Sequence, residues 1–352
     1  MLSYLLKRLA SGFLVLFGVV SVVFFLFNIL PGDAAQMTLG QRSDIASLEA
    51  VTKELGLDQP MYKQYLLYLN DLSPLSLHNY TSEEQNKYGF TALVPLGSNR
   101  WLCAKAPYLR RSYQSRQTVN QIIASALPGT AILALSAMLI ATFFGLLLGG
   151  IAALFAQTWV DRAAVSLSIV GISAPSYFAS ILIAYLFGFV WQRYTGLSMT
   201  GSLYEVDAFA GRSLALQNLI LPAITLGIRP LAIIVQLSRN TFLEVLSQDY
   251  VRTARAKGLS EWQVMQRHVL RNALGPVVTA ISGWFASLLA GAVFVEYIFG
   301  WKGLGKVTVD ALMKFDLPVV MGAVLFIAVA FILINILVDL MYAWLDPRIR
   351  LQ

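Results

Sequence analysis

Residues 300–307 read GWKGLGKV, with four residues between a glycine and a Gly-Lys pair. That is the spacing of a loop that cradles phosphate on its backbone amides. Such chemistry also needs a Ser or Thr after the lysine to hold magnesium and a strand leading into the turn. Val307 follows the lysine and an apolar run precedes the turn. The segment is therefore expected to be a packing turn, with Gly303 and Gly305 chosen for their small size. His78 and His268 are the only histidines, and neither has a second ligand at helical spacing, so no metal site is expected. No catalytic constellation is apparent either, and the lone Cys103 allows no intrachain disulfide. Three ionisable residues do fall in or beside apolar runs. Glu296 closes one, Asp339 sits near the end of another, one turn after Asn335, and Arg229 stands mid-run directly before Pro230. Asp339 is too close to an interface to suggest a proton relay. A mid-run guanidinium is costly unless it faces water, pairs with an acid or meets an anionic group.

The elements that must position these residues follow from composition. Hydrophobic residues make up 57% and charged residues 13% of the 352, more apolar surface than a water-soluble core can bury. Six runs reach or approach the length of a bilayer-crossing helix: residues 9–30, 122–157, 163–192, 214–238, 272–295 and 317–338. The expected architecture is an all-α membrane protein with six transmembrane helices. Lys7 and Arg8 before the first run, the arginines between the fourth and fifth, and Arg348 and Arg350 after the last put both termini in the cytoplasm. Residues 31–121 then lie outside; their nine basic and eight acidic residues are near balance, and long loops escape the charge rule. The net charge of +7 reflects this topology, and nothing calls for nucleic acid. The first run lacks a small-residue cleavage pattern and reads as a retained helix in contact with lipid.

Between the fourth and fifth runs lies SQDYVRTARAKGLSEWQVMQRHVLRNALGP, residues 247–276. Val251, Ala254, Leu259, Val264, Val269 and Leu270 supply apolar faces at helical spacing, and Arg252, Arg255, Lys257, Arg267 and Arg271 cover the others. Gly258 can take the positive φ that ends a first short helix, and Ser260 with Glu261 suits the start of a second. The reading is a rigid, bent elbow in water, placed to dock on a partner.

YVRTARAKGL followed by RHVLRNALGPVV resembles the cytoplasmic coupling loop of ABC importer permeases of the dipeptide/oligopeptide/nickel branch. LPGD (residues 30–33), LGLDQPMYKQYL (55–66), FGWKGLGK (299–306) and DLPVVMG (316–322) also resemble that branch, in the family's order across nearly the whole chain. The general importer pattern has a Glu-Ala-Ala triplet and a Gly four residues after the last Ala; the matching positions here are Arg252, Thr253, Ala254 and Gly258. Its Leu-Pro pair falls on Leu270 and Arg271, with a proline only at Pro276. Both departures are usual in the peptide branch.

The resemblance implies a type I ABC importer permease fold and no catalytic site in this chain. It also implies a second homologous permease as heterodimer partner, two ABC ATPase subunits that bind ATP and magnesium, and an extracytoplasmic substrate-binding protein. The place would be the bacterial inner membrane. The elbow would be the mechanical link, with Thr253, Ala254 and Gly258 packed closely in an ATPase groove and Arg252 and Arg255 at its rim. Arg229 is expected to line the translocation path and attract a peptide carboxylate, or else to pair with a partner subunit's acid. Gln236, two turns on along the same face, matches a position where related chains more often carry Arg. Peptide is the expected cargo, with nickel or another small solute as the alternative and a secondary transporter as a remote one. The expected divisions are residues 1–30, an external segment 31–121, a core 122–345 containing the coupling loop 239–275, and a tail 346–352. Residues 73–107 interrupt the resemblance. Their aromatic residues among turn formers suit a folded cap, which either contacts the binding protein or packs on residues 55–69. Gly145, Gly149 and Gly150, and Gly283 with Ala286 and Ala290, are expected to let helices approach closely.

Overall fold

In a bilayer every backbone polar group must be satisfied within the protein, which leaves helices as the economical solution for a chain this apolar. The computed structural model describes residues 2–29, 58–96, 99–207 and 211–345, and is built mostly of helices. In chain order they are α1 (Leu2–Ile29), α2 (Met61–Leu72), α3 (Ser82–Tyr88), α4 (Val119–Leu154), α5 (Trp159–Ser173), α6 (Ser176–Tyr185), α7 (Gln217–Leu246), α8 (Asp249–Ala256), α9 (Glu261–Val264), α10 (Arg271–Ile298), α11 (Leu304–Met313) and α12 (Leu317–Leu345). Five strands join them: β1 (Leu75–Asn79), β2 (Thr91–Pro95), β3 (Arg100–Ala104), β4 (Tyr204–Asp207) and β5 (Gly211–Leu214). Residues 30–57, which hold the LPGD block and the first part of the expected external segment 31–121, and the tail 346–352 lie outside the described residues.

Among those residues four helices are long and apolar enough to cross a membrane: α1, α4, α7 and α12. The run expected as the third crossing is not one helix. It is α5 followed, at a bend of 108°, by α6 and the π-helical turn Leu186–Val190 that continues it. The cause is local: Ala174 precedes Pro175 and takes an extended ψ of 124°, because the proline ring disfavours helical backbone in the residue before it. Counted as one broken span, the pair makes a fifth crossing. The expected run 272–295 lies within the continuous 28-residue α10.

The described chain divides into two compact units. The first comprises residues 1–12, 126–306 and 327–352. Its core gathers Leu133, Ala137 and Ala141 of α4, Leu221 and Ile234 of α7, and Val277 and Val295 of α10. Close approach of α4 to α7 depends on small residues: a Cβ on Gly149 would fall 1.9 Å from the Ser238 hydroxyl, and one on Gly145 2.6 Å from Ile234. Gly150 leaves ordinary clearance, and a Cβ on Gly283 would meet nothing within 4 Å among the described residues. The side chains of Ala286 and Ala290 lie outside the described set.

The second unit comprises residues 13–125 and 307–326. The residues expected to form a cap do fold. β1, β3 and β2 make an antiparallel sheet in that order, with a bulge between Ala92 and Val94, and α3 packs beside it. These strands, and the β4–β5 hairpin, are short additions of four or five residues each to a chain that is otherwise mostly helical. His78 stacks on Phe90 at 5.2 Å and lies 4.3 Å from the Tyr88 ring. Cys103 is fully shielded. Burial holds its thiol above, and the His78 imidazole below, their ordinary values. Phe24 of α1 stacks on Tyr68 of α2 and shares a core with Met321 and Leu325 of α12. Asp316 accepts hydrogen bonds from the Ser112 hydroxyl and, at 2.9 Å, from the Tyr113 amide. These contacts group the start of α12 with this unit.

Candidate functional site

The elbow begins where α7 ends. α8 runs to Ala256, Gly258 turns the chain at φ +83°, and Ser260 caps α9. The cap is reciprocal: the Gln263 amide donates to the Ser260 hydroxyl and the Ser260 amide donates to the Gln263 side-chain oxygen. A wider π-helical turn, Met265–Leu270, carries the chain into α10. Beneath these elements Val251, Ala254, Val264, Met265 and Val269 bury against Phe242 and Val245 of α7, Ala153 of α4 and Ala273 of α10. The elbow is thus seated on the ends of three helices. Arg255 makes a two-pronged pair with Glu261, 2.8 and 2.9 Å, across the bend.

Arg252, Thr253, Arg255 and Gly258 all face outward. Ala254 does not: at 6% exposure it belongs to the elbow's own core. Its expected place in a partner's groove is therefore corrected to support from behind. The helical period forces this, since Ala254 shares a face with Val251 three residues earlier.

A cleft of about 410 Å³ opens among α5, α6, α7 and α10, and Arg229 lines it with Phe178, Ile183, Thr225, Trp284 and Leu288. Its walls are mainly apolar, and Arg229 is exposed. Gln236, expected on the same path, is half-buried and is not among the cleft's lining residues.

The glycine-rich turn has a different chemistry from the one its spacing suggests. Its amides already hold a side chain, the fully buried Glu296 carboxyl of α10. Gly305 and Lys306 donate their amides to it at 2.6 and 3.1 Å, and the Thr130 hydroxyl donates at 2.6 Å. Thr130 in turn accepts from the Leu304 amide at 2.7 Å, and the Trp301 indole donates to the Gly129 carbonyl. The first amides of α11, which a helix start leaves without partners, are satisfied by these two side chains. A Cβ on Gly303 would lie 2.4 Å from the carboxylate. The helix α10, not a strand, leads into the turn.

Sequence reasoning missed the partner of Glu296, and it missed a second buried carboxylate altogether. Asp161, near the start of α5, takes a bidentate ion pair from Arg239 of α7, one prong at 2.7 Å. It also accepts the Gln157 amide at 2.9 Å. The partners are 78 and 166 residues apart for the two carboxylates, beyond any local pattern.

A cleft walled in part by the bent pair, and a charged elbow seated on the ends of α4, α7 and α10, suit a subunit of a membrane transporter. Residues 145–351 match the family described as binding-protein-dependent transport system inner membrane component, and residues 1–86 match the N-terminal region of such membrane components. The chain belongs to this family. It is 36% identical over 369 residues to the di/tripeptide transport system permease protein DppB of Pseudomonas aeruginosa, covering all of both chains. It is also 36% identical over 351 residues to the glutathione transport system permease protein GsiC of Escherichia coli K12, covering 99% of each. Among solved structures, the inward-facing MetNI methionine ABC transporter has a chain that aligns with a TM-score of 0.53 and 14% identity, over 64% of this chain and 97% of that one. That likeness is one of fold. The chain is thus a multi-pass inner-membrane permease subunit of an ABC importer.

Proposed function

We propose that the chain forms half of the pathway by which an ATP-driven importer moves short peptides delivered by an extracytoplasmic binding protein. The elbow carries this reading: a self-supported hairpin with its charges turned outward is built to be pushed. The peptide class is supported by relatives named for di/tripeptide and glutathione transport. In the proposed assembly a second, homologous permease pairs with this one. Two ATPases, holding ATP and magnesium, meet the elbows through Arg252, Thr253, Arg255 and Gly258. Both termini face the cytoplasm, α10 completes six crossings, and the sheet-bearing residues 73–107 stand at the outer mouth toward the binding protein. Closure of the ATPases would shift each elbow as a rigid body and rock the helices that wall the cleft. Arg229 would attract the peptide carboxylate there.

Expression with the neighbouring chromosomal genes and purification through a tag on this chain should recover a second permease and ATP-binding subunits in stoichiometric amount. A lone homo-oligomer would overturn the proposal. In the recovered complex, Arg229→Gln should weaken uptake of peptides with a free carboxylate more than of their amidated forms. Equal uptake of both forms, at the unsubstituted rate, would remove Arg229 from the path.

A further inference from the structure

The elbow touches the ends of α4, α7 and α10, but the residues that bury its underside include none from α5 or α6, which wall the cleft with Arg229. If the elbow drives the cleft, something must join the bent pair to the driven helices near the elbow. One contact there is both charged and enclosed. Arg239 lies on α7 one turn before Phe242, which is itself buried in the elbow's core. Its guanidinium grips Asp161, and the Asp161 carboxylate is 5% exposed. The same carboxylate holds the Gln157 amide at the sharp turn into α5, where Gln157 adopts φ +63°. Asn240 accepts a further bond from Arg239 at 3.0 Å, which fixes the fork's direction. Elsewhere α5 meets α7 through small and apolar residues: Gly171, for example, lies so near α7 that a Cβ on it would fall 3.1 Å from the Ile228 side chain and 3.4 Å from Ala232. Apolar contact is non-directional, so it sets no single register and can slide. A bidentate pair with one rigid geometry cannot, because any slip leaves a buried charge without its partner.

We propose that the Asp161–Arg239 pair is the tie that makes the bent helix pair follow the elbow, and that both are positioning residues for transport. This rests on the importer reading above. Packing alone would hold the helices together; the pair fixes their register.

The test uses the full reconstituted importer with its binding protein, measuring peptide taken up per ATP hydrolysed. Spin labels are placed at Lys257→Cys on the elbow and Tyr185→Cys on α6, in a Cys103→Ser background. In the unsubstituted pair the label distance should stay constant when ATP binds. In Asp161→Asn and Arg239→Gln ATP hydrolysis should persist and the distance should change. Uptake per ATP should fall at least about tenfold, the equivalent of ~1.4 kcal/mol of lost linkage. Exchanging the charges, Asp161→Arg with Arg239→Asp, should recover part of the uptake, which a purely local loss of stability would not. Unchanged uptake per ATP in both single variants, or a constant label distance in them, overturns the tie. Should the single variants fail to assemble, Arg239→Lys, which keeps the charge but not the fork, carries the test, and coupling equal to the unsubstituted importer is again the overturning result. ATP-independent uptake by the unsubstituted complex would instead defeat the importer reading itself.

Discussion

The elbow and the glycine-rich turn start from similar materials, small residues and cations between apolar stretches, and spend them in opposite directions. In the turn the polar groups point inward. Glu296, Thr130 and the first amides of α11 close on one another inside the protein, and Gly303 is there so that nothing intrudes. In the elbow the apolar groups point inward and Arg252, Thr253 and Arg255 lie exposed on the outer face. Buried polar groups that satisfy each other fix a geometry and offer nothing to a partner. Exposed ones over a packed underside stabilise little and remain available. The contrast sets a structural lock apart from the docking surface proposed for the elbow.

The largest expected effect breaks the lock. Glu296→Ala strips the acceptor from the Thr130 hydroxyl and two backbone amides, and with buried donors left unpaired at ~1–3 kcal/mol each the loss should be several-fold that of an exposed contact. Thermal unfolding in detergent should fall sharply or the protein should fail to accumulate. Glu296→Gln keeps one acceptor and should fall between. An unchanged melting temperature for the alanine variant would mean that the turn is not held by the carboxylate.

The next effect bends the elbow without touching its core. A Cβ at Gly258 meets nothing within 4 Å, so a side chain has room, and only the +83° φ resists it. Left-handed backbone costs most residues ~1–2 kcal/mol, and Asn less because it visits that region readily. Gly258→Val should therefore abolish ATP-driven uptake at unchanged levels in the membrane, while Gly258→Asn keeps most of it. Equal uptake by the two variants would show that the left-handed turn is dispensable.

The elbow was legible in the sequence because it is made locally. Val251, Ala254, Val264 and Val269 declare two helical faces, Gly258 the break and Ser260 the restart, all within twenty residues. The bend at Pro175 is equally local, but hydropathy runs straight through a proline and carries no sign of it. The helical period puts Ala254 on the buried face with Val251, behind the outward residues Arg252, Thr253 and Arg255. The Glu296 lock and the Asp161–Arg239 pair could not be read at all. Each joins residues on different helices, and one chain carries no alignment of its own distant parts. The sheet of residues 75–104 falls between: its aromatic residues promised a folded piece, but nothing local fixed its strand order.

The smallest stability effect is the one that best sharpens the comparison. Arg255 and Glu261 are 40% and 57% exposed, and exposed pairs contribute roughly 0.2–1 kcal/mol. Arg255→Ala or Glu261→Ala should barely move the melting temperature of the complex. Their effect on uptake divides two roles that the structure superimposes on Arg255. If its charge serves only to staple α8 to α9, exchanging the pair as Arg255→Glu with Glu261→Arg restores the staple and, with it, uptake. If the guanidinium also meets an acidic rim on the ATPase, the exchange restores the bend yet presents the wrong charge, and uptake stays low while stability recovers. Added salt should then weaken uptake by the unsubstituted importer more than by the exchanged one, because only the former has an attraction to screen.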